Sequence, residues 1–217
     1  MTTAGSPEPP AIGELALGPL VDARTVGPED TREGERYDEV DFTDADLEFT
    51  SFSACAFHRV RLNEARLRGA HFAEVIFDEV DAAVLAAPRS SWRNVQLTGS
   101  RLGSMALYES NWRSVSIEGS KIDYLNARSA HWEDVRWRDC TISELDLGQA
   151  VISRMAFQDC RIGTLHLGQT QLSDVDLRGT QLGVLEDLAG LAGSWITESQ
   201  LEALAPQLAA YLSINVG

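Results

Sequence analysis

Residues 40–60 read VDFTDADLEFTSFSACAFHRV, and within them Phe42, Leu47, Phe52 and Phe57 stand five apart. The spacing then holds for 29 consecutive steps, as far as Leu182, through six Phe, eleven Leu, five Ile, four Trp and three Ala without a polar exception. In a chain that is 44% hydrophobic such a run arises by chance in roughly one trial in 10¹⁰. A helix repeats at 3.6 residues and a strand at 2, so a strict five belongs to neither.

A second register explains the period. Two residues before each of these centres stands a small or apolar side chain, among them Ala45, Val60, Ala65, Val75, Val95, Val115, Val135 and Val175. In extended chain i−2 and i point the same way, so each pentad turns two side chains inward and leaves three for a corner and for solvent. The chain must therefore bend once every five residues. A longer period gives the number of bends per coil: Trp92, Trp112 and Trp132 are 20 apart, as are Met105, Leu125, Leu145 and Leu165. Four pentads per turn place like on like. The reading is an all-β solenoid of square section with about seven coils, a parallel-strand spacing of about 4.8 Å and a length of about 35 Å. The handedness of parallel crossovers makes it right-handed.

Pentads such as Ala45-Asp46-Leu47, Ala65-Arg66-Leu67 and Val175-Asp176-Leu177 resemble the A(D/N)LXX signature of the pentapeptide-repeat proteins. The resemblance covers residues 40–184 and implies a right-handed quadrilateral β-helix. Its best understood branch protects or inhibits DNA gyrase by imitating B-form DNA, which makes gyrase the implied protein partner and duplex mimicry the implied function. The alternative is a rigid interaction scaffold with another protein partner.

Outside the repeat the chain reads as caps, with a disordered tail and N-terminal cap over 1–36, the β-helix over 37–184 and a C-terminal helical cap over 185–217. Three Pro and few apolar groups predict disorder from Met1 to Ala11. At Ala82 and Ala87 the centres shrink, phase is kept, and Leu85 fills volume, which predicts a narrowed coil without an inserted loop. Leu185 to Gly193 breaks phase before Thr197-Glu198-Ser199-Gln200, a capping box that starts a helix. Pro206 is expected to open a second short helix there. Leu201, Leu204, Leu208, Tyr211 and Leu212 form an apolar stripe that plugs the coil end or also joins two copies in a homodimer.

The net charge of −15 is unevenly spread. Residues 1–50 hold 13 acids against 3 Arg, whereas residues 51–182 hold 16 acids against 15 bases. Mimicry of DNA needs rows of negative charge at phosphate-like spacing, and only the first coils offer a cluster. Asp41, Asp44, Asp46 and Glu48 are therefore the candidate partner-binding residues. One wall even carries Arg61, Arg101, Lys121 and Arg161 in register, interrupted by Asp81 and Thr141.

Catalysis, cofactors and metals find no support in the sequence. His58, His71, His131 and His166 fall at outward positions on three different walls, and there is no CxxC, GxSxG or Gly-rich phosphate loop. Cys55, Cys140 and Cys160 take inward i−2 positions, as small hydrophobes in a reducing compartment. No secretion signal and no apolar run of membrane-spanning length is present, so the expectation is a cytoplasmic protein that contacts neither membrane nor nucleic acid.

Overall fold

Two inward side chains per pentad demand a corner after each, and the computed structural model, which describes residues 5–215, shows how the corners are made. At one corner Glu74, Asn94, Ser114, Asp134, Arg154 and Asp174 all have positive φ. At a second Glu79, Gly99, Gly119, Asp139 and Asp159 do, and at a third Phe49, Gly69, Arg89, Glu109, Ser129, Gln149 and Gln169. A left-handed residue reverses the local bend in one step but costs a side-chain-bearing residue about 1–2 kcal/mol. Hydrogen bonds to the neighbouring coils offset that cost, as where Phe42 N donates to Arg61 O at 2.8 Å and Arg61 N to Val40 O at 3.1 Å. The fourth corner is left-handed only at Asp44 and Glu64; beyond it strands such as Asp81–Ala86 run straight through.

The result is a parallel β-solenoid of about eight turns with one C-terminal helix. A 12-stranded sheet covers two walls, and a 6-stranded sheet, from Asp81–Ala86 to Thr180–Glu186, covers the wall and corner between. Register is 20 residues from Thr31↔Ser51 to His166↔Glu186, and the Ala82 coil keeps it, with Ala82↔Leu102 and Leu85↔Met105. No loop is inserted there. The phase slips after Leu185: a 3₁₀ turn covers Leu188–Leu191, and Ser194 pairs with Val175 at an offset of 19.

The core is the two inward columns of every wall from Tyr37 to Leu188, buried but for positions such as Ala45, Leu172 and Leu182, which are partly buried. Inward hydroxyls serve as small polar spacers. Ser100 Oγ donates to Thr98 O at 2.9 Å and accepts from Val80 N at 3.0 Å, and Ser120 repeats this one coil on, at 3.0 and 3.1 Å. Cys140 and Cys160 follow in the same column as buried free thiols, donating to Arg138 O and Gln158 O, each at 3.1 Å.

The C-terminal cap departs from expectation in one respect. The capping box forms, with Gln200 N on Thr197 Oγ1 at 3.0 Å and Thr197 N on Gln200 Oε1 at 2.8 Å. Yet a single helix, Glu198–Tyr211, runs through Pro206. Contacts on both sides of the proline hold it to the coil end: Gln200 Nε2 donates to Leu177 O and Thr180 O at 2.8 and 2.7 Å, Leu204 is buried, and Gln207 Oε1 accepts from Leu185 N at 3.3 Å. Docking outweighs the hydrogen bond that proline removes. That helix is too short and too polar to cross a membrane, as are all helices among the described residues.

At the other end, residues 5–20 have no regular secondary structure and lie extended against one corner of the solenoid. The disorder expected of Met1 to Ala11 concerns, for Met1 to Ala4, positions outside the described residues. For the rest, the chain finds acceptors along the coil.

Candidate interaction surface

A corner every five residues leaves the outward side chains in columns, one coil apart, on flat walls. The charged ones pair along these columns. Arg61 Nε lies 3.3 Å from Asp41 Oδ2, Arg66 Nη2 3.0 Å from Asp46 Oδ2, Arg89 Nε 2.7 Å from Glu109 Oε2, and Arg113 Nε 3.4 Å from Glu133 Oε2. Each partner is 20 residues away, so each ion pair bridges two coils. Exposed pairs of this kind add little stability, about 0–1 kcal/mol. Their larger effect is on the surface field, which is mixed in sign: paired columns stand beside stacked like charges such as Arg93 with Arg113 and Arg101 with Lys121.

The four candidate carboxylates of the first coils divide accordingly. Asp41 and Asp46 are each held below the ordinary carboxylate range, Asp41 by hydrogen bonds from Thr43 and then by Arg61, Asp46 by Arg66 and by the Glu48 N–H. Asp44 sits at a left-handed corner, exposed, and Glu48 is half-buried; neither has an ion-pair partner among the described residues. The cluster is contiguous on the coil but half neutralised. Between residues 21 and 187 no column carries more than two carboxylates in succession, namely Asp44 over Glu64 and Asp139 over Asp159.

Two deeper polar sites interrupt the walls. Asp134, 6% exposed, accepts from Arg154 Nε at 2.7 Å and Nη2 at 2.9 Å and from Ala11 N at 2.9 Å. Arg154 above all, with the Ala11 N–H, outweighs burial and holds the Asp134 carboxyl below its usual range. His166 bridges Glu144 and Glu186, each at 2.9 Å. Burial pulls its imidazole down, but the two carboxylates prevail and leave its pKa raised. His58 lies 2.9 Å from Asp78, and His71 and His131 share a third wall. Among the described residues no three His, Cys, Asp or Glu side chains are placed to hold a metal ion.

Of the five candidate dimer residues, Leu204 is buried against the coil end and Leu208 packs against the core. Leu201, Tyr211 and Leu212 remain exposed. The inter-coil pairing escaped the sequence reading, although its signal, opposite charges at i and i+20, is present in the columns. The course of residues 5–20 left no periodic signal.

Fold and surface together define a right-handed quadrilateral β-helix built on pentads, with walls of mixed charge. Residues 41–78 match the family model for pentapeptide repeats in 8 copies, and the same pentads continue in register beyond them, so the coil carries the pentapeptide-repeat pattern. No curated protein matches it. Among solved structures, a trypsin-treated variant of QnrB1, a plasmid-mediated fluoroquinolone resistance protein, shares 18% identity, covering 93% of this chain and 100% of that one with a TM-score of 0.35. HetL, a pentapeptide repeat protein involved in heterocyst differentiation regulation from the cyanobacterium Nostoc, shares 16% over 81% and 92% of the two chains, with a TM-score of 0.43.

Proposed function

We propose that this chain is a rigid, non-enzymatic rod that presents a mixed-charge surface to a protein partner in the cytoplasm. The observation that carries the reading is the pairing of carboxylates with cations one coil away, as at Asp41 and Arg61 or Asp46 and Arg66. A surface of mixed sign suits a partner of complementary mixed sign, and it confers specificity. Mimicry of duplex DNA requires an unbroken anionic row, and runs of two carboxylates fall short of one. The three free thiols, Cys55, Cys140 and Cys160, suit a reducing compartment. Assembly into a two-fold dimer would use the exposed part of the C-terminal stripe, Leu201, Tyr211 and Leu212.

A modulator of DNA gyrase is the second reading, and the stacked, exposed carboxylates of Asp44 and Glu64 favour it. One experiment separates the two. The immobilised full chain is challenged with cell extract and eluted by a salt gradient, and in parallel the soluble chain is added to purified gyrase in a supercoiling assay. The scaffold reading expects a retained protein that the salt gradient elutes, and supercoiling left unchanged. Inhibition of supercoiling that is lost in an Asp44→Lys, Glu64→Lys variant would replace it with the gyrase reading.

A further inference from the structure

Residues 8–21 climb the solenoid against the direction of winding, along the corner defined by the positive-φ column. Glu8 N donates to Asp174 Oδ1 at 3.3 Å, Ala11 N to Asp134 Oδ1 at 2.9 Å and Gly13 N to Ser114 Oγ at 3.4 Å. Ser114 Oγ also donates to Ala11 O at 3.3 Å. Farther on, Ile12 to Ala16 share a groove with Glu74, Asn94, Val95, Gln96 and Ser114, and Val21 joins the first coil opposite Glu35. From Asp174 to Gly34 the climb is seven coils, about 34 Å, which 13 residues span at about 2.6 Å each, open chain short of full extension with a turn where Ile12 N donates to Pro10 O at 3.1 Å.

Three features make this corner a receptor for extended chain. Its column, presented at coil spacing, is Glu74, Asn94, Ser114, Asp134, Arg154 and Asp174, in which the one cation, Arg154, is already engaged by Glu133 and Asp134 and the remaining groups can accept hydrogen bonds. Asp134 is a buried carboxylate that turns one oxygen to a backbone amide outside the coil. Pro7 and Pro10 are buried, and Ile12, Leu15 and Leu17 are half-buried, so the side chains of the climbing segment are seated as well.

The resident segment is nevertheless a poor electrostatic match. It carries Glu8 and Glu14 and no cation, and Glu14 lines the same groove as Glu74, while Asp174 receives the Glu8 amide. No ion pair ties residues 5–20 to the coil among the described residues, so Glu8 and Glu14 gain no cation and backbone and apolar contacts alone hold the strap.

We infer that this corner is a docking groove for an extended, proline-containing and basic segment of a partner protein, and that residues 5–20 occupy it in cis until such a segment displaces them. The inference goes beyond the scaffold reading and stands whether or not the flat walls bind anything.

The test uses the full chain and two labelled peptides: residues 5–20, and the same sequence with Lys in place of Glu8 and Glu14. Fluorescence anisotropy is measured on the wild type and on an Ile12→Asp, Leu15→Asp variant whose strap is loosened. The basic peptide should bind the loosened chain at least tenfold more tightly than the wild type, and more tightly than the acidic peptide in both. In the loosened chain, Ser114→Ala with Asp134→Asn should abolish the gain, with circular dichroism confirming an intact coil. Hydrogen exchange should show the Ala11 and Gly13 amides protected in the wild type and released when the basic peptide saturates it. Equal affinity for wild type and loosened chain, absence of binding to both, or indifference to the Ser114 and Asp134 changes overturns the inference. Dimerisation of the loosened chain in place of peptide uptake overturns it in favour of exchange between copies.

Discussion

Trp112 and Trp132 stack with ring centroids 4.3 Å apart and planes 13° from parallel, yet only Trp132 places its indole N–H on an acceptor, Ser110 Oγ at 3.3 Å. The Trp112 N–H is buried without a partner. Trp92, next in the column, tilts by 43° and donates to Ser90 Oγ at 2.7 Å, in its own pentad. Identical residues in identical positions thus solve the indole N–H differently, because the ladder fixes the backbone and leaves each ring to find its own hydroxyl.

From this asymmetry, Trp132→Phe should destabilise the chain more than Trp112→Phe by about 1 kcal/mol, since only the former breaks a hydrogen bond and the latter removes an unpartnered polar group. Trp112→Asp should abolish cooperative unfolding, while Arg113→Ala, outward and 68% exposed, should change stability by less than about 0.5 kcal/mol. Urea melts of the four variants check both statements. Similar curves for Trp112→Asp and Arg113→Ala would refute the inward and outward assignment.

Burial separates one ion pair from the rest. Asp134 is nearly enclosed and Arg154 keeps 22% of its side chain exposed, whereas Arg89 and Glu109 are about half exposed. Asp134→Ala leaves a half-buried guanidinium and the Ala11 amide without their acceptor, and should cost about 2 kcal/mol. Arg89→Ala should cost less than about 1 kcal/mol. Thermal unfolding of both variants in the same buffer makes the comparison.

His166 gives a pH dependence of definite sign. Its folded pKa is raised above the ordinary 6.5, so the stability it contributes is fully present below that value and is lost as pH rises through the folded pKa. As pH rises from below 6.5 through the raised folded pKa, the wild type should lose midpoint temperature relative to His166→Gln. Parallel profiles for the two proteins would show that Glu144 and Glu186 do not hold the charged imidazole.

Close approach of coils makes Gly103 irreplaceable where Gly99 is not. A Cβ on Gly103 would lie 2.3 Å from Ala83 O, in a strand held between Asp81–Ala86 and Lys121–Asn126. At Gly99 nothing lies nearer than 3.5 Å, although φ is +58°. Gly103→Ala should therefore cost more than about 2 kcal/mol and Gly99→Ala about 1 kcal/mol, from conformation alone. Denaturant midpoints decide the order.

The C-terminal stripe has two parts with different expected responses. Leu204→Glu should lower the melting temperature by exposing the last coil, whereas Leu212→Glu should leave it unchanged and convert a dimer to a monomer in light scattering. A wild type that is monomeric at micromolar concentration would confine the stripe to capping.

What the sequence determined by itself is everything that repeats. The inward pair in each pentad, the 20-residue coil, the unbroken phase through Ala82 and the capping box at Thr197 all follow from local geometry applied over and over, and translation along the rod then fixes every neighbour. The candidate carboxylates were legible as a cluster for the same reason. Their neutralisation by Arg61 and Arg66 was not read, because it depends on groups one full coil away. Tertiary structure alone decided the rest. One helix runs through Pro206 because the coil end grips it at Gln200, Leu204 and Gln207, and residues 5–20 become a strap because Ser114, Asp134 and Asp174 accept their amides. Neither segment has a period of its own, so its conformation is set by the non-local surface it meets.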